Sequence, residues 1–227
     1  MGAGRMSGED RIERARLLYE RAVFGGDTSV LAAADDELDA VEAGLALARG
    51  RLVHARFLDR REAAPQEARE MADPAELDLF ERAAELYRKL GDARGEAEAL
   101  LWIGIFHQLV RGDGEAALGP LERSRALAAE TGDALTLSYT LRHLGFAEHM
   151  AGRLEAAREL LEESTRLRRE LGFLPGVAAN LVGLAYLASG QDRRRDAVAL
   201  IEEAGAIAEA AGAHGIQRQV QQARARL

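Results

Sequence analysis

The chain has 227 residues, of which 48% are hydrophobic and 30% charged, with a formal net charge of −8 and no cysteine. That composition excludes a disordered chain, a disulfide framework and thiolate chemistry. The acidic balance argues against direct binding of nucleic acid, which needs a basic face for phosphate. No run of 18 apolar residues occurs and the N-terminal segment has no apolar core, so no membrane span or signal peptide is expected, and the cytoplasm is the simplest compartment.

Residues 1–8 read as a flexible tail and 9–227 as a single helical solenoid. A first helix over about 9–24 sets Ile12, Ala15, Leu18 and Ala22 at helical spacing and stops at Gly25-Gly26. A second segment, about 29–62, carries one apolar stripe of Leu38, Val41, Leu45, Ala48, Leu52 and Ala55. Gly44 and Gly50 inside it are expected to bend or break it. These divergent helices (9–63) lead into a polar connection, 64–73, ending in Asp73-Pro74, an N-cap followed by a first-turn proline.

From 74 to 212 the chain repeats itself. Gly91, Gly132, Gly172 and Gly212 recur at steps of 41, 40 and 40 residues, a period of stacked helical hairpins that cannot bury their apolar faces singly. Helices are predicted over about 74–90, 93–111, 115–131, 134–151, 153–171, 174–190 and 194–211, with a polar capping helix inside 213–227. A shift of 40 superposes Leu121, Leu161 and Ile201, and likewise Ala117, Ala157 and Ala197. Leu100, Leu141 and Leu181 form another level, then Ile103, Leu144 and Leu184, each followed by a small residue, Gly104, Gly145 or Ala185, that allows close helix approach. Gly112, Gly152 and Gly190 or Asp192 supply the turn within each hairpin.

Large-x-x-large-small in one helix, a turn glycine, then small and large residues in the next: this pattern resembles the tetratricopeptide repeat (TPR) in its longer, ~40-residue form. The segment 152–172 is similar to repeats in the sensor regions of large ATP-dependent bacterial transcriptional regulators. The resemblance implies an all-α, right-handed α-solenoid whose first helices line a concave groove.

On that mapping the candidate binding residues are Glu98, Trp102, Gln108, Tyr139, Arg142, His143, Phe146, His149 and Tyr186. The same face includes Leu101, Ile105, Leu109, Met150, Ala179, Val182 and Ser189. Tyr139, Arg142, His143, Phe146, His149 and Met150 share one helix face, where aromatic rings supply contact area and Arg142 a site for carboxylate or phosphate. Packing between repeats explains the same stripe, with Arg142 paired to a neighbouring glutamate. Trp102 reads as a core filler or as the groove floor. The Lys, Asn and Arg set by which some members clamp a peptide C-terminus is incomplete, because the groove has no lysine and Asn180 lies one place off its face. No histidine spacing suits a metal, and no phosphate loop, dinucleotide fingerprint or nucleophile elbow occurs, so neither cofactor nor catalysis is expected.

The function implied is non-enzymatic recognition of a peptide segment or partner protein in the groove. Two alternatives stay open: a small-molecule sensor linked to transcriptional regulation, and a divergent enzyme using His143, His149, Tyr139 and Arg142. A poorly capped last repeat would instead favour a homodimer.

Overall fold

A computed structural model describes residues 6–226, which are helical with no strand among them. The tail expected at 1–8 lies mostly outside the described residues; Ser7 is described, and it caps the first helix through a reciprocal bond with Asp10. The helices are α1 (Gly8–Gly25), α2 (Leu31–Ala63), α3 (Pro65–Glu70), α4 (Ala75–Lys89), α5 (Ala93–Ile105), α6 (Gly114–Glu130), α7 (Ala134–Met150), α8 (Leu154–Glu170), α9 (Leu174–Gly190), α10 (Arg194–Ala210) and α11 (His214–Arg224). They fall into two compact units, Met1–Ala117 and Leu118–Leu227.

The recurring glycines are left-handed helix ends. Gly91, Gly132, Gly172 and Gly212 have φ of 69°, 65°, 68° and 62°, a region that costs other residues about 1–2 kcal/mol. Each reversal is closed by a six-to-one bond, from Asp92 N–H to Tyr87 O, Asp133 N–H to Ala128 O, Phe173 N–H to Arg168 O, and Ala213 N–H to Ala208 O. Within the hairpins the left-handed residues are Gly112, Gly152 and Asp192 (φ 57°), so Asp192 and not Gly190 makes the third turn. The first period is one residue longer than the others, and the structure shows where the extra residue goes. After Ile105 the last turn of the helix widens into π geometry over Phe106–Arg111, the usual way a helix absorbs an insertion.

In the first unit α2, α4 and α5 pack around Ala43, Ala46, Leu47, Phe80, Ala83, Leu86, Tyr87, Ala99 and Ile103. α2 runs unbroken for 33 residues, so neither glycine breaks it. Gly50 is there for space rather than flexibility, since a Cβ would lie 2.5 Å from the Phe80 ring. The connection at 64–73 contains the short helix α3, and Ala68 of α3 joins Phe57, Phe106 and Val110 in a second cluster. The inserted helix and the widened turn thus meet at one place.

In the second unit α7–α8 and α9–α10 are antiparallel hairpins, and α11 closes the core of Leu161, Val177, Leu181, Leu184, Ile201 and Ala204 with Val220 and Ala223. The glutamines of α11 at 219, 221 and 222 stay exposed, so the helix has the polar outer face of a cap. At Gly145 an added Cβ would meet the Leu161 side chain at 3.2 Å and Ala157 O at 3.3 Å, which accounts for the small residue at that level.

Two further repeat positions vary together in size. Four residues before the cap glycines stand Tyr87, Ala128, Arg168 and Ala208; four after stand Gly95, Thr136, Gly176 and Ile216. The Tyr87 ring occupies the place of a Cβ on Gly95, 2.4 Å away; at Gly176 that place is taken by the Phe173 ring at 2.4 Å, with the Arg168 stem at 2.9 Å. Where the first residue is large, the second is glycine.

Candidate functional site

The sequence-predicted stripe on α7 is present, and its polar members are tied into the neighbouring helices. Arg142 donates through Nη1 to Ala179 O (2.9 Å) and Asn180 Oδ1 (2.7 Å) on α9, and its guanidinium lies 4.5 Å from the Phe146 ring centre. The partners lie on the neighbouring repeat, as packing between repeats implies, but no glutamate among the described residues pairs with Arg142. The same Asn180 oxygen accepts from Arg168 Nη1 of α8 at 2.9 Å, and that nitrogen also reaches Gly176 O at 2.8 Å. Asn180 Nδ2 donates to Ser164 Oγ (2.8 Å), which donates onward to Ser138 O. The Arg168 guanidinium lies against the rings of Tyr139 (4.7 Å) and Phe173 (5.5 Å), which also pack on each other at 5.7 Å.

Two cations therefore share one amide oxygen with no carboxylate partner among the described residues. Arg168 is only 1% exposed, and its Nη2 has no hydrogen-bond acceptor. Burial, with the like charge of Arg168 adding to it, draws Arg142 down to about 9, and burial draws Arg168 down to about 10, with Tyr139 opposing both. Both remain cationic at neutral pH. A positive pair held by neutral acceptors and aromatic faces is chemically suited to an added anion, because the charge is already desolvated and positioned.

The other predicted residues divide by burial. His143 is buried with its ring edge-on to Phe146 at 5.8 Å, Tyr186 is half-buried against the core, and His149 and Met150 are exposed at the end of α7. Leu101, Ile105 and Val182, placed on the same face by spacing, are buried and belong to packing. In the first unit Trp102 is half-buried, stacked on Phe80 at 5.5 Å with Arg51 over its ring, so it fills the core edge and keeps one face outward. Glu98 pairs with Arg51, and Gln108 lies half-buried in the widened turn.

Two features escaped the sequence reading. Arg168 sits at the level that Ala128 and Ala208 fill in other repeats, and a charge in a core register was the available signal. His54 and Glu76 form a buried pair at 2.7 Å beside Trp102, with Glu76 Oε2 unpartnered; His54 shares the inward face of α2 with Leu47, Gly50 and Phe57. Among the described residues no helix is long and apolar enough to cross a membrane, and no cluster of three or more His, Cys, Asp or Glu side chains is placed to hold a metal.

No curated protein matches the chain. The nearly identical TPR-like repeats of a kinesin-light-chain-type protein from Podosopora anserina have a similar structure, at TM-score 0.50 and 19% identity, over 79% of this chain and 97% of that one. A single-residue variant of that protein gives the same values with 94% of its chain covered. BtubC (BKLC) from P. vanneervenii aligns over 92% of this chain and 93% of its own, at TM-score 0.48 and 16% identity. At these identities the likeness concerns the fold. Residues 95–170 match the tetratricopeptide repeat family directly, and the hairpins, left-handed turns and small-residue levels described above have the form of such helical repeats.

Proposed function

We propose that this protein is a non-catalytic interaction module that binds an extended segment of a partner protein across the α7–α9 face, with a carboxylate of that segment at Arg142. TPR repeats generally mediate protein–protein interaction, which supplies the class of function. The observation that carries the finer reading is the Arg142–Arg168 pair, desolvated and without an acidic partner. An incoming carboxylate would meet Arg142, and Tyr139, Phe146 and the exposed His149 and Met150 would supply flanking contact area. Two clefts of the second unit lie elsewhere. One, of about 300 Å³, is lined by Arg158, Leu187, Arg193 and Glu203 among others, and one of about 460 Å³ borders α10 and α11. Glu98, Trp102 and Gln108 form a second proposed patch on the first unit.

The test is capture from source-cell lysate with wild type and the Tyr139→Ala/Arg142→Glu double variant, followed by anisotropy with labelled peptides tiling the captured protein. The expected result is a peptide whose acidic residue can be neutralised to asparagine or glutamine with about a tenfold loss, matched by loss on Arg142→Gln. Equal binding by wild type and double variant would place recognition on another surface.

A further inference from the structure

α2 has two apolar faces, and the α4 interface uses only one. The face packed on α4 and α5 includes Ala43, Ala46, Leu47, Gly50 and Phe57. On another side stand Leu31, Leu38, Leu45 and Leu52, spaced by seven and 41%, 47%, 48% and 59% exposed. Ala34, Val41, Ala48 and Ala55 fall three residues after each leucine, so the stripe alternates steps of three and four, the spacing of a coiled-coil seam. α1 lies beside its first turns, where Glu37 is buried with Arg11 and Arg14. From Leu38 to Ala55 the seam lies open apart from the half-buried Val41.

The charges along this seam specify what covers it. One residue after each small seam position comes Asp35, Glu42, Arg49 and Arg56, two acids and then two bases. We infer that the occupant is α2 of a second copy of this chain, running antiparallel about a two-fold axis between Leu45 and Ala48. That arrangement places Leu38 against the second copy's Ala55, Val41 against its Leu52, and Leu45 against its Ala48, so each layer pairs a leucine with a smaller residue. The same register brings Asp35 to the second copy's Arg56 and Glu42 to its Arg49. Parallel pairing sets like against like, Glu37 on Glu42 and Arg51 on Arg56, and flanking charges of this kind decide helix orientation. Glu42 accepts within its own chain from Arg82 at 2.7 Å, and an added arginine can share that carboxylate. The seam spans 18 residues, ~27 Å of helix, which suits an isologous dimer of modest affinity.

Sedimentation of the full chain over about 1–200 μM tests this, with circular dichroism melts as the check on folding. Wild type should shift from monomer to dimer with concentration. Arg49→Glu and Glu42→Arg should each weaken the dimer at least tenfold, and the double variant Glu42→Arg/Arg49→Glu should restore it, because the charges again face their opposites. Leu45→Glu should abolish it without lowering the melt, since Leu45 is half exposed in the monomer. The natural chain has no cysteine, so orientation is readable from introduced thiols. A mixture of Leu38→Cys and Ala55→Cys chains should oxidise to mixed dimers, while Leu38→Cys alone should not. A monomer at every concentration, a dimer indifferent to Arg49→Glu, or ready cross-linking of Leu38→Cys to itself would each overturn the proposal.

Discussion

Arg168 is the residue whose environment departs furthest from its type. Its guanidinium is buried with one nitrogen unsatisfied, against a pair of aromatic rings and next to a second cation. The desolvation of such a group usually exceeds what its contacts return, whereas removing an acceptor that two cations share leaves both uncompensated. Arg168→Met is therefore expected to be neutral or stabilising, within about 1 kcal/mol. Asn180→Ala should cost about 2–4 kcal/mol, because Arg142, Arg168 and Ser164 all lose a partner at once. Urea denaturation of the two variants separates the cases. A loss above about 3 kcal/mol for Arg168→Met would mean the cluster stabilises the fold on balance.

Helix α2 shows at the scale of an element why a glycine cannot be read from sequence alone. Gly44 and Gly50 both interrupt a helical pattern, and neither interrupts the helix. A Cβ at Gly44 would meet only the Tyr87 hydroxyl at an ordinary 3.8 Å, so Gly44→Ala should stabilise by about 0.5–1 kcal/mol through backbone entropy. Gly50→Ala pushes into the Phe80 ring and should cost about 1–3 kcal/mol. Opposite signs in thermal or urea melts are the expected outcome. Local signals did settle most elements: helical periodicity and the four cap glycines place α4 to α11 to within a residue or two, apart from the widened end of α5, because caps and periods act within a few residues. What stayed hidden depends on partners distant in sequence, such as the ring filling the space at Gly50, the seat of Arg168 under Asn180, and the pairing of His54 with Glu76. The widened turn after Ile105 had a signal in the 41-residue first period, which sequence reasoning registered without asking where the additional residue would go. For the candidate site, spacing identified the α7 stripe but not the α8 arginine that completes it.

Within each unit, cohesion resides in the apolar contacts between packed helices rather than in the many surface ion pairs. Pairs such as Arg158–Glu155, Arg158–Glu162 and Arg166–Glu163 lie on exposed helix faces and contribute little, in the range that solvent and salt leave to such pairs. Stability in such an array is a sum over repeats and their interfaces, so its ends matter disproportionately. Deleting 213–227 uncovers Ile201, Ala204 and Leu184 where Val220 and Ala223 now lie. The truncated chain is expected to melt at least several degrees lower, to bind a hydrophobic dye and to self-associate. An unchanged melt would show that α11 is an appendage and that the array ends with α10.

The paired sizes of Tyr87 with Gly95 and Arg168 with Gly176 bear on how such an array can be recombined. Both members of each pair flank a turn between hairpins, so a cut at the cap glycine separates them. Exchanging whole hairpins would set a tyrosine or arginine against a threonine or isoleucine, or leave a hole where alanine meets glycine. The transferable cassette is instead the end of one hairpin, its turn and the start of the next, roughly 164–180 for the arginine-containing junction, which also carries Ser164 and Asn180 with it. Chimeras spliced in mid-helix should tolerate exchange that chimeras spliced at the glycines do not.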